Sequence, residues 1–308
     1  MRAVIQETFG GPEVLKFAER ARPEALPSEV LVRVKAAGVN PVDGYVRAGK
    51  FRIAEPPLTP GWDISGVVES VVPGVNRFAP GDEVFGMPLF PRPASAYAEL
   101  VAAPSRQLAL KPREIDHVHA AALPLVGLTA WQCLVDVAAV RPGMRVLVHG
   151  GGGGVGHVAV QIAKARGAIV LATASAEKRD FVKSLGADEV IDYRGRDFTT
   201  SVRDVDVVLE TIGADNAERS LQVLKPGGHL VTIVDRTNEA LAGRTRAAGF
   251  RFSGVTVEPD HQGLEELARL VDGGKLRIHV ERTFALEQVR AAHELLASHL
   301  KGKIVLTM

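Results

Sequence analysis

Two kinds of hydrophobic pattern divide the chain. Up to about residue 110, short apolar segments of β character alternate with glycine and proline, as at Pro73-Gly74 and Pro80-Gly81. Turns at such short intervals favour an antiparallel, partly open β-barrel over a parallel sheet. The clearest of these predicted strands cover residues 30–34, 66–72, 83–85 and 97–101.

From residue 117 the pattern changes to strands that alternate with helices. Helical periodicity over residues 117–134 leads into the first of six predicted strands. The strands cover residues 146–149, 169–173, 189–192, 205–210, 229–234 and 250–257, and the helices include residues 154–165, 176–185 and 216–224. This alternation predicts an α/β fold with a doubly wound parallel sheet, the Rossmann arrangement.

The C-terminal segment predicts two further helices, residues 263–271 and 286–298, and a final strand, residues 303–306. We therefore expect two domains. Residues 1–116 and 259–308 form a mainly β catalytic domain, and residues 117–258 form a dinucleotide-binding domain inserted into it. The active site is expected in the cleft between them.

Composition excludes several classes of protein. Of the 308 residues, 46% are hydrophobic and 24% are charged, and the net charge is +1, so neither nucleic acid nor a membrane surface is an expected partner. The chain has one cysteine, Cys133, and therefore no internal disulfide. Neither a signal peptide nor a run of ~18 apolar residues is found, so a cytoplasmic protein is expected.

A glycine cluster follows the strand of residues 146–148 and opens a helix. Within it, Gly151, Gly153 and Gly156 form a Gly-x-Gly-x-x-Gly pattern in the strand–turn–helix context of a dinucleotide site. The three glycines permit a tight turn, close approach of backbone to pyrophosphate, and close helix packing. Five consecutive glycines could also be a linker, but linkers rarely connect a buried strand to an amphipathic helix. Gly154 and Val155 at the helix start complete the predicted phosphate site.

The end of the second strand of the parallel sheet predicts NADPH rather than NADH. An acidic residue there would bind the ribose 2′-hydroxyl of NADH, but the chain has Ala174 and Ser175, followed by Lys178 and Arg179. Hydroxyl and ammonium groups suit a 2′-phosphate. Ser175 could also be a plain helix cap and Lys178 a solvated side chain, and both interpretations can hold together.

The whole chain resembles the zinc-independent quinone oxidoreductases of the medium-chain dehydrogenase/reductase superfamily. The resemblance implies a GroES-like barrel domain beside the Rossmann domain. It rests on the order and spacing of several segments: residues 37–49 (AGVNPVDGYVRAG), 60–68 (PGWDISGVV), 80–86 (PGDEVFG), 97–99 (YAE), 127–131 (GLTAW), 149–156 (HGGGGGVG) and 302–306 (GKIVL).

The resemblance also places this chain among the members that work without metal. Zinc alcohol dehydrogenases of the superfamily have a metal-binding cysteine at the position of Asn40 and Gly-His-Glu at the position of Gly61-Trp62-Asp63. Asn and Trp do not provide a tetrahedral zinc site, so no metal is expected and simple alcohol oxidation is disfavoured. The expected electrophile is one that needs less activation, namely a quinone or a carbon–carbon double bond conjugated to a carbonyl.

By resemblance, Asn40, Tyr45 and Thr129 surround the nicotinamide and the substrate. Asn40 and Tyr45 could donate to the substrate oxygen, Tyr45 could also protonate an enolate carbon, and Thr129 would hold the carboxamide. Each residue also has a structural interpretation. The Asn40 amide could satisfy hydrogen bonds of a buried loop, the Tyr45 ring could simply pack, and the Thr129 hydroxyl could bond to a carbonyl within its own helix. Asp43 and Arg47 are expected to form a structural ion pair.

Three further residues are predicted to bind the cofactor. Tyr193 matches a position near the 2′-phosphate, Ile212 ends the fourth strand of the parallel sheet, and Lys303 matches a lysine near the phosphates. Tyr193 could equally be a surface aromatic, and Lys303 an exposed lysine on an edge strand. The histidines and Cys133 are interpreted as structural.

The sequence therefore predicts an NADPH-dependent, zinc-independent reductase of a small-molecule quinone or α,β-unsaturated carbonyl compound. One alternative is an enoyl-thioester reductase, and another is an NADPH-binding sensor or partner protein without turnover. The resemblance also implies a homodimer, paired through the edge strand of residues 250–257.

Overall fold

The computed structural model describes residues 1–298 and 300–308, and the chain forms two compact units. We call residues 1–128 and 258–308 the barrel unit and residues 129–257 the parallel-sheet unit. The described residues include no helix long and apolar enough to cross a membrane.

The helices and strands follow in chain order. The first part of the barrel unit contains β1 (Arg2–Gln6), β2 (Leu15–Glu19), β3 (Glu29–Val39), α1 (Pro41–Arg47), β4 (Ile64–Val71), β5 (Glu83–Gly86), β6 (Leu100–Pro104), β7 (Leu108–Leu110) and α2 (His117–Ala121), and it leads into α3 (Pro124–Trp131). The parallel-sheet unit contains β8 (Arg145–Val148), α4 (Gly154–Ala165), β9 (Ile169–Ala174), α5 (Arg179–Ser184), β10 (Glu189–Asp192), α6 (Phe198–Ser201), β11 (Val205–Glu210), α7 (Asn216–Ser220), β12 (Leu224–Thr232), α8 (Glu239–Ala247) and β13 (Arg251–Gly254). The barrel unit ends with α9 (His261–Asp272), β14 (Val280–Ala285), α10 (Val289–Leu295) and β15 (Lys303–Thr307).

A seven-stranded sheet forms the barrel unit, in the order β14-β15-β3-β4-β5-β7 with β6 also paired to β3. All of its pairs are antiparallel except β14–β15. Alternate residues of β3, Val30, Val32 and Val34, are buried in one apolar cluster, as period-two patterning requires. The predicted barrel of short antiparallel strands is thus confirmed, and a separate two-stranded sheet, β1–β2, accompanies it.

Six parallel strands form the other unit, in the order β10-β9-β8-β11-β12-β13. Counted from β8, this is the 3-2-1-4-5-6 order of the Rossmann fold, so the predicted doubly wound sheet is confirmed. Residues 146–148 are fully buried because helices cover both faces of such a sheet. β13 is an outer strand, as expected for residues 250–257, although it is shorter than predicted.

Two of the boundaries that differ from the sequence-based prediction have an identifiable physical reason. β12 begins at Leu224 rather than at residue 229, because Leu224 already pairs with Val205 and the segment containing Pro226 and Gly227 is accommodated by a bulge. The barrel unit extends to Leu128 rather than to residue 116, because α2 packs on β3 and β4.

Candidate active site

The glycine turn between β8 and α4 is compact because side chains have no room there. A Cβ added to Gly151 would lie 2.8 Å from Ala172 Cβ, and one added to Gly156 would lie 2.1 Å from the carbonyl oxygen of Gly150. These distances are shorter than van der Waals contact. Glycine at position 151 therefore lets the turn pack against β9, and glycine at position 156 lets α4 begin directly against the turn.

The start of α4 leaves donors for an anionic ligand. The first intrahelical bond is donated by His157 N to Gly153 O, at 3.1 Å, and the Gly153 cap has no side-chain bond. The N–H groups of Gly154, Val155 and Gly156 thus precede the helical ladder, where they can bind phosphate oxygens. The predicted pyrophosphate site fits the turn.

The residues predicted to bind a 2′-phosphate lie at the adjacent strand ends. A Cβ on Gly152 would meet the Lys178 side chain at 2.8 Å, so Lys178 packs against the glycine turn. Ser175 is buried at the end of β9, and Tyr193 N donates to Ala174 O at 3.3 Å, which places Tyr193 beside it. The structure therefore brings Ser175, Lys178 and Tyr193 to one corner of the sheet, with no acidic residue at the end of β9.

Ile212 lies at the same carboxyl edge, after β11. It is 58% exposed, and a Cβ on Gly150 would meet its Cδ1 at 2.8 Å. Its loop is held by Glu210, a residue that the pattern did not single out. The buried Glu210 Oε1 accepts from Ile212 N at 2.6 Å and Gly213 N at 3.0 Å. An exposed apolar side chain on a rigid loop suits contact with a cofactor.

Two histidines, expected only to be structural, also hold the turn. His157 Nδ1 donates to the carbonyl oxygens of Gly153, at 2.9 Å, and Gly154, at 2.7 Å. His149 is fully buried between Thr173 and Ser220. A histidine on either side of the glycine run is a weak sequence signal, and only the folded structure reveals these bonds.

In the barrel unit, the predicted catalytic residue Asn40 belongs to a buried polar cluster. Its Nδ2 donates to Asp63 Oδ2 at 2.9 Å, and its Oδ1 accepts a hydrogen bond from Lys303 Nζ. Lys303 also lies 3.5 Å from Asp63 Oδ2. Lys303 is 3% exposed on β15, between β14 and β3, so the alternative of an exposed edge-strand lysine is wrong.

The expected ion pair between Asp43 and Arg47 is wrong. Asp43 Oδ2 instead accepts from the Asn40 backbone at 2.7 Å and from the Tyr97 hydroxyl at 2.9 Å. Arg47 donates to Gly10 O at 3.2 Å and to His293 Nδ1 at 3.1 Å. Asp43 points back to cap the first turn of α1, whereas Arg47 lies at its end, so the two side chains diverge.

The other two residues predicted near the substrate differ in exposure. Tyr45 is 54% exposed on α1 and presents its side chain to solvent. Thr129 is 4% exposed on α3. Asn40, by contrast, is 0% exposed. Of the three, Tyr45 therefore has the most exposed side chain.

Comparisons with known proteins agree with this architecture. Residues 26–113 match the family model described as alcohol dehydrogenase GroES-like domain, and residues 185–306 match that described as zinc-binding dehydrogenase. Human quinone oxidoreductase is 33% identical over 325 residues, which cover 100% of this chain and 98% of the relative. The chloroplastic NADPH-dependent alkenal/one oxidoreductase of Arabidopsis thaliana is 36% identical over 318 residues, which cover 99% of this chain and 79% of the relative.

A quinone oxidoreductase structure from Coxiella burnetii superposes with a TM-score of 0.94 at 35% identity, covering 100% of this chain and 99% of that one. The chain belongs to the quinone oxidoreductase family of the medium-chain dehydrogenase/reductases. It is therefore an oxidoreductase that binds a nicotinamide dinucleotide and acts on a small molecule.

This quinone oxidoreductase family member does not present zinc ligands at the positions where the zinc dehydrogenases have them. Trp62 donates its indole N–H to Arg92 O at 2.8 Å, and the Asn40 amide is bonded to Asp63 and Lys303. Among residues 1–298 and 300–308, no three His, Cys, Asp or Glu side chains are grouped as a metal site requires. Cys133 is buried, which raises the pKa of its thiol to about 12. These residues do not fit a tetrahedral zinc ion.

Asp43 predicts a pH dependence of stability. Burial raises the pKa of its carboxyl to about 7, well above the value of ~3.9 in an unfolded chain. The folded state therefore favours the protonated carboxyl. The contribution of that carboxyl to the free energy of unfolding is complete below pH ~4 and is lost as the pH rises through about 7. We expect the unfolding free energy of Asp43→Asn, relative to that of the wild type, to increase by a few kcal/mol as the pH rises from 5 to 8. One pKa unit corresponds to about 1.4 kcal/mol.

Urea denaturation at several pH values, followed by circular dichroism, measures this difference. Asp180→Asn, at an exposed aspartate in α5, is the matched control and should follow the wild type at every pH. A constant difference between Asp43→Asn and the wild type would contradict the prediction.

Proposed function

We propose that this protein is an NADPH-dependent, zinc-independent reductase of quinones or α,β-unsaturated carbonyl compounds. The observation that carries the proposal is the packing of Lys178 against Gly152, beside Ser175. It puts a cation next to the phosphate-binding turn at the point where an NADH enzyme has a carboxylate. The quinone and alkenal/one oxidoreductase relatives support the same reaction class.

The parallel-sheet unit is proposed to bind the cofactor, which supplies the hydride when bound. The N–H groups of Gly154, Val155 and Gly156 bind the pyrophosphate, and Gly151 and Gly153 let it approach the backbone. Ser175 and Lys178 bind the 2′-phosphate, and Tyr193 packs beside it. Ile212 covers an apolar part of the cofactor, and Thr129 holds the carboxamide.

The barrel unit is proposed to act on the substrate. The exposed Tyr45 hydroxyl donates to the substrate oxygen, on which negative charge develops as hydride is accepted, or it transfers a proton there. Asn40 is bonded to charged neighbours, so in the conformation described its role is to support α1, and direct donation to the substrate requires the cluster to open. Reduction without zinc restricts the substrate to electrophiles that need no Lewis acid.

Outer strand β13 is proposed to pair with the same strand of a second copy in a homodimer. Light scattering can test whether the protein is a dimer.

A substrate panel tests the function. NADPH and NADH oxidation should be followed in parallel with quinones, enals, enones and enoyl thioesters. We expect turnover of quinones or enones, and kcat/KM about 10- to 100-fold higher with NADPH, since charge-assisted hydrogen bonds to the extra phosphate are worth roughly 1.5–3 kcal/mol. Lys178→Ala should remove most of that preference, whereas Lys183→Ala, at an exposed lysine in α5, should retain it.

The other outcomes of the panel separate the alternatives. Turnover confined to enoyl thioesters would identify an enoyl-thioester reductase. Thermal stabilisation by NADPH without turnover of any substrate would support a sensor or partner protein. Either result would reject the proposed reductase activity on quinones and enones.

A further inference from the structure

The Asn40 cluster, which we define as Asn40, Asp43, Asp63, Tyr97 and Lys303, is buried throughout. The exposed fraction of every member is 3% or less. Its members come from four separate segments of the barrel unit: the β3–α1 junction, the loop before β4, the segment before β6, and β15. Charged groups in such a place are costly unless each is paired, so the arrangement of their bonds is informative.

Charge fixes the orientation of the Asn40 amide. The Lys303 ammonium can only donate a hydrogen bond, so the group facing it must be Oδ1. The Asp63 carboxylate can only accept, so the group facing it, at 2.9 Å, must be Nδ2. Reversing the amide would place donor against donor and acceptor against acceptor. Asn40 is thus held in one orientation by two charges that also neutralise each other.

Asp63 is itself held in place from two sides. Its Oδ1 accepts from Leu125 N at 2.8 Å, at the start of α3. Gly38 makes room for it, because a Cβ on that residue would lie 2.9 Å from Asp63 Oδ2. The carboxylate therefore has little freedom to move, and its position determines that of the Asn40 side chain.

Asn40 transmits this position to α1. Its backbone N–H donates to Asp43 Oδ2, and its carbonyl accepts from Asp43 N at 3.0 Å, which forms the cap of the helix. Tyr97 secures the same Asp43 oxygen from another segment. α1 is only seven residues long, so its geometry depends on this cap rather than on its own hydrogen bonds. The helix carries Tyr45.

We propose that Lys303 and Asp63 are positioning residues for reduction: they lock the Asn40 amide and, through the α1 cap, the location of Tyr45. The inference rests on the proposed function of Tyr45. Neither residue touches the substrate. Their removal should therefore lower kcat while NADPH affinity in the other unit is preserved. Misplacement of a reacting group by about 1 Å can reduce turnover about 100-fold.

The first test uses the wild type alone. With asparagine-selective ¹⁵N labelling, NMR reports the side-chain amides of Asn40, Asn76, Asn216 and Asn238. We expect hydrogen exchange at the Asn40 NH₂ group to be at least about 100-fold slower than at Asn76, which is exposed. Equal exchange rates at the two residues would overturn the proposal.

The second test is the double variant Lys303→Met/Asp63→Asn. Removing both charges avoids the unpaired buried charge that either single variant would leave. We expect kcat to fall at least about 10-fold, the NADPH Kd to change less than about 3-fold, and the Asn40 amide to exchange faster. Lys275→Met, at an exposed lysine of the same unit, should match the wild type.

An unchanged kcat in the folded double variant would refute the positioning role, as would a loss of NADPH affinity equal to the loss of turnover. A wild type that is inactive on the whole panel would reject the proposed function instead. In that case slow Asn40 exchange would still demonstrate the locked amide, but the positioning role would fall with the function.

Discussion

Gly156→Ala is expected to weaken NADPH binding at least about 100-fold. The added Cβ would lie 2.1 Å from Gly150 O, 2.7 Å from Gly150 C and 2.9 Å from Gly151 Cα. All three atoms belong to the backbone of the glycine turn, so no side chain can rotate away to relieve the overlap. The start of α4 must move away from the turn, and the N–H groups of Gly154 and Val155 move with it.

The expected effect on affinity follows from this displacement. Overpacking at a rigid contact costs about 1–3 kcal/mol or more in stability. Losing the alignment of the pyrophosphate donors adds to the loss of affinity, and we expect the NADPH Kd to rise at least about 100-fold, which corresponds to roughly 2.8 kcal/mol. Fluorescence titration with NADPH measures the Kd, and thermal denaturation measures the stability.

One alanine substitution, at a glycine outside the cofactor site, serves as the control. Gly243→Ala, in α8, meets nothing within 4 Å and should leave binding unchanged while stabilising the helix by about 0.5–1 kcal/mol. An NADPH Kd for Gly156→Ala within 3-fold of the wild-type value, a difference of roughly 0.7 kcal/mol in binding free energy, would contradict the prediction.

The glycine turn was predictable because its signal is local. A buried strand, a glycine cluster and an amphipathic helix follow one another in the chain, and steric exclusion at Gly156 depends only on those neighbours. The same holds for the order of strands, since alternating strands and helices allow few topologies. The β12 boundary was missed because Pro226 and Gly227 indicate a turn, whereas pairing of Leu224 with Val205 extends the strand past them.

The Asn40 cluster could not be predicted, because its bonds join residues far apart in the chain. Lys303 and Asn40 are separated by 263 positions, and no periodicity relates them. Asp43 and Arg47 are one helical turn apart, a spacing typical of an ion pair. Burial of Tyr97 against Asp43 and of His293 against Arg47 gives each residue a different partner.

Acidification is expected to destabilise the protein through His149. The Ser220 hydroxyl donates to Asn216 O at 2.7 Å, so its oxygen accepts from His149 Nε2–H at 2.9 Å. The Thr173 hydroxyl then donates to Nδ1 at 3.1 Å, while its oxygen accepts from Gly150 N. Every partner is thus matched to the neutral ring. Burial, assisted by the positive charge of Arg219, lowers the His149 pKa to about 3.

The sign of the effect follows from the lowered pKa. The unfolded chain binds a proton at His149 near pH ~6.5, and the folded chain does so only near pH 3. The stability that the neutral ring provides is therefore complete above pH ~6.5 and is lost as the pH falls toward 3. His149→Gln should reduce the slope of unfolding free energy against pH in this window by up to about 1.4 kcal/mol per pH unit, the value for one proton. Urea denaturation across the window gives the slope, and His279→Gln, at a partly exposed histidine, should leave it unchanged.

The effects of Asp43 and His149 on stability have opposite pH dependence, so Asp43→Asn and His149→Gln should be compared with each other. Between pH ~4 and about 7, acidification stabilises the fold through Asp43 and destabilises it through His149, so the two effects partly cancel in the wild type. His149→Gln leaves the Asp43 effect and should become relatively more stable as the pH falls from 7 to 4. Asp43→Asn leaves the His149 effect and should lose stability more steeply than the wild type over the same range. Parallel pH profiles for both variants and the wild type would show that neither buried group is linked to folding.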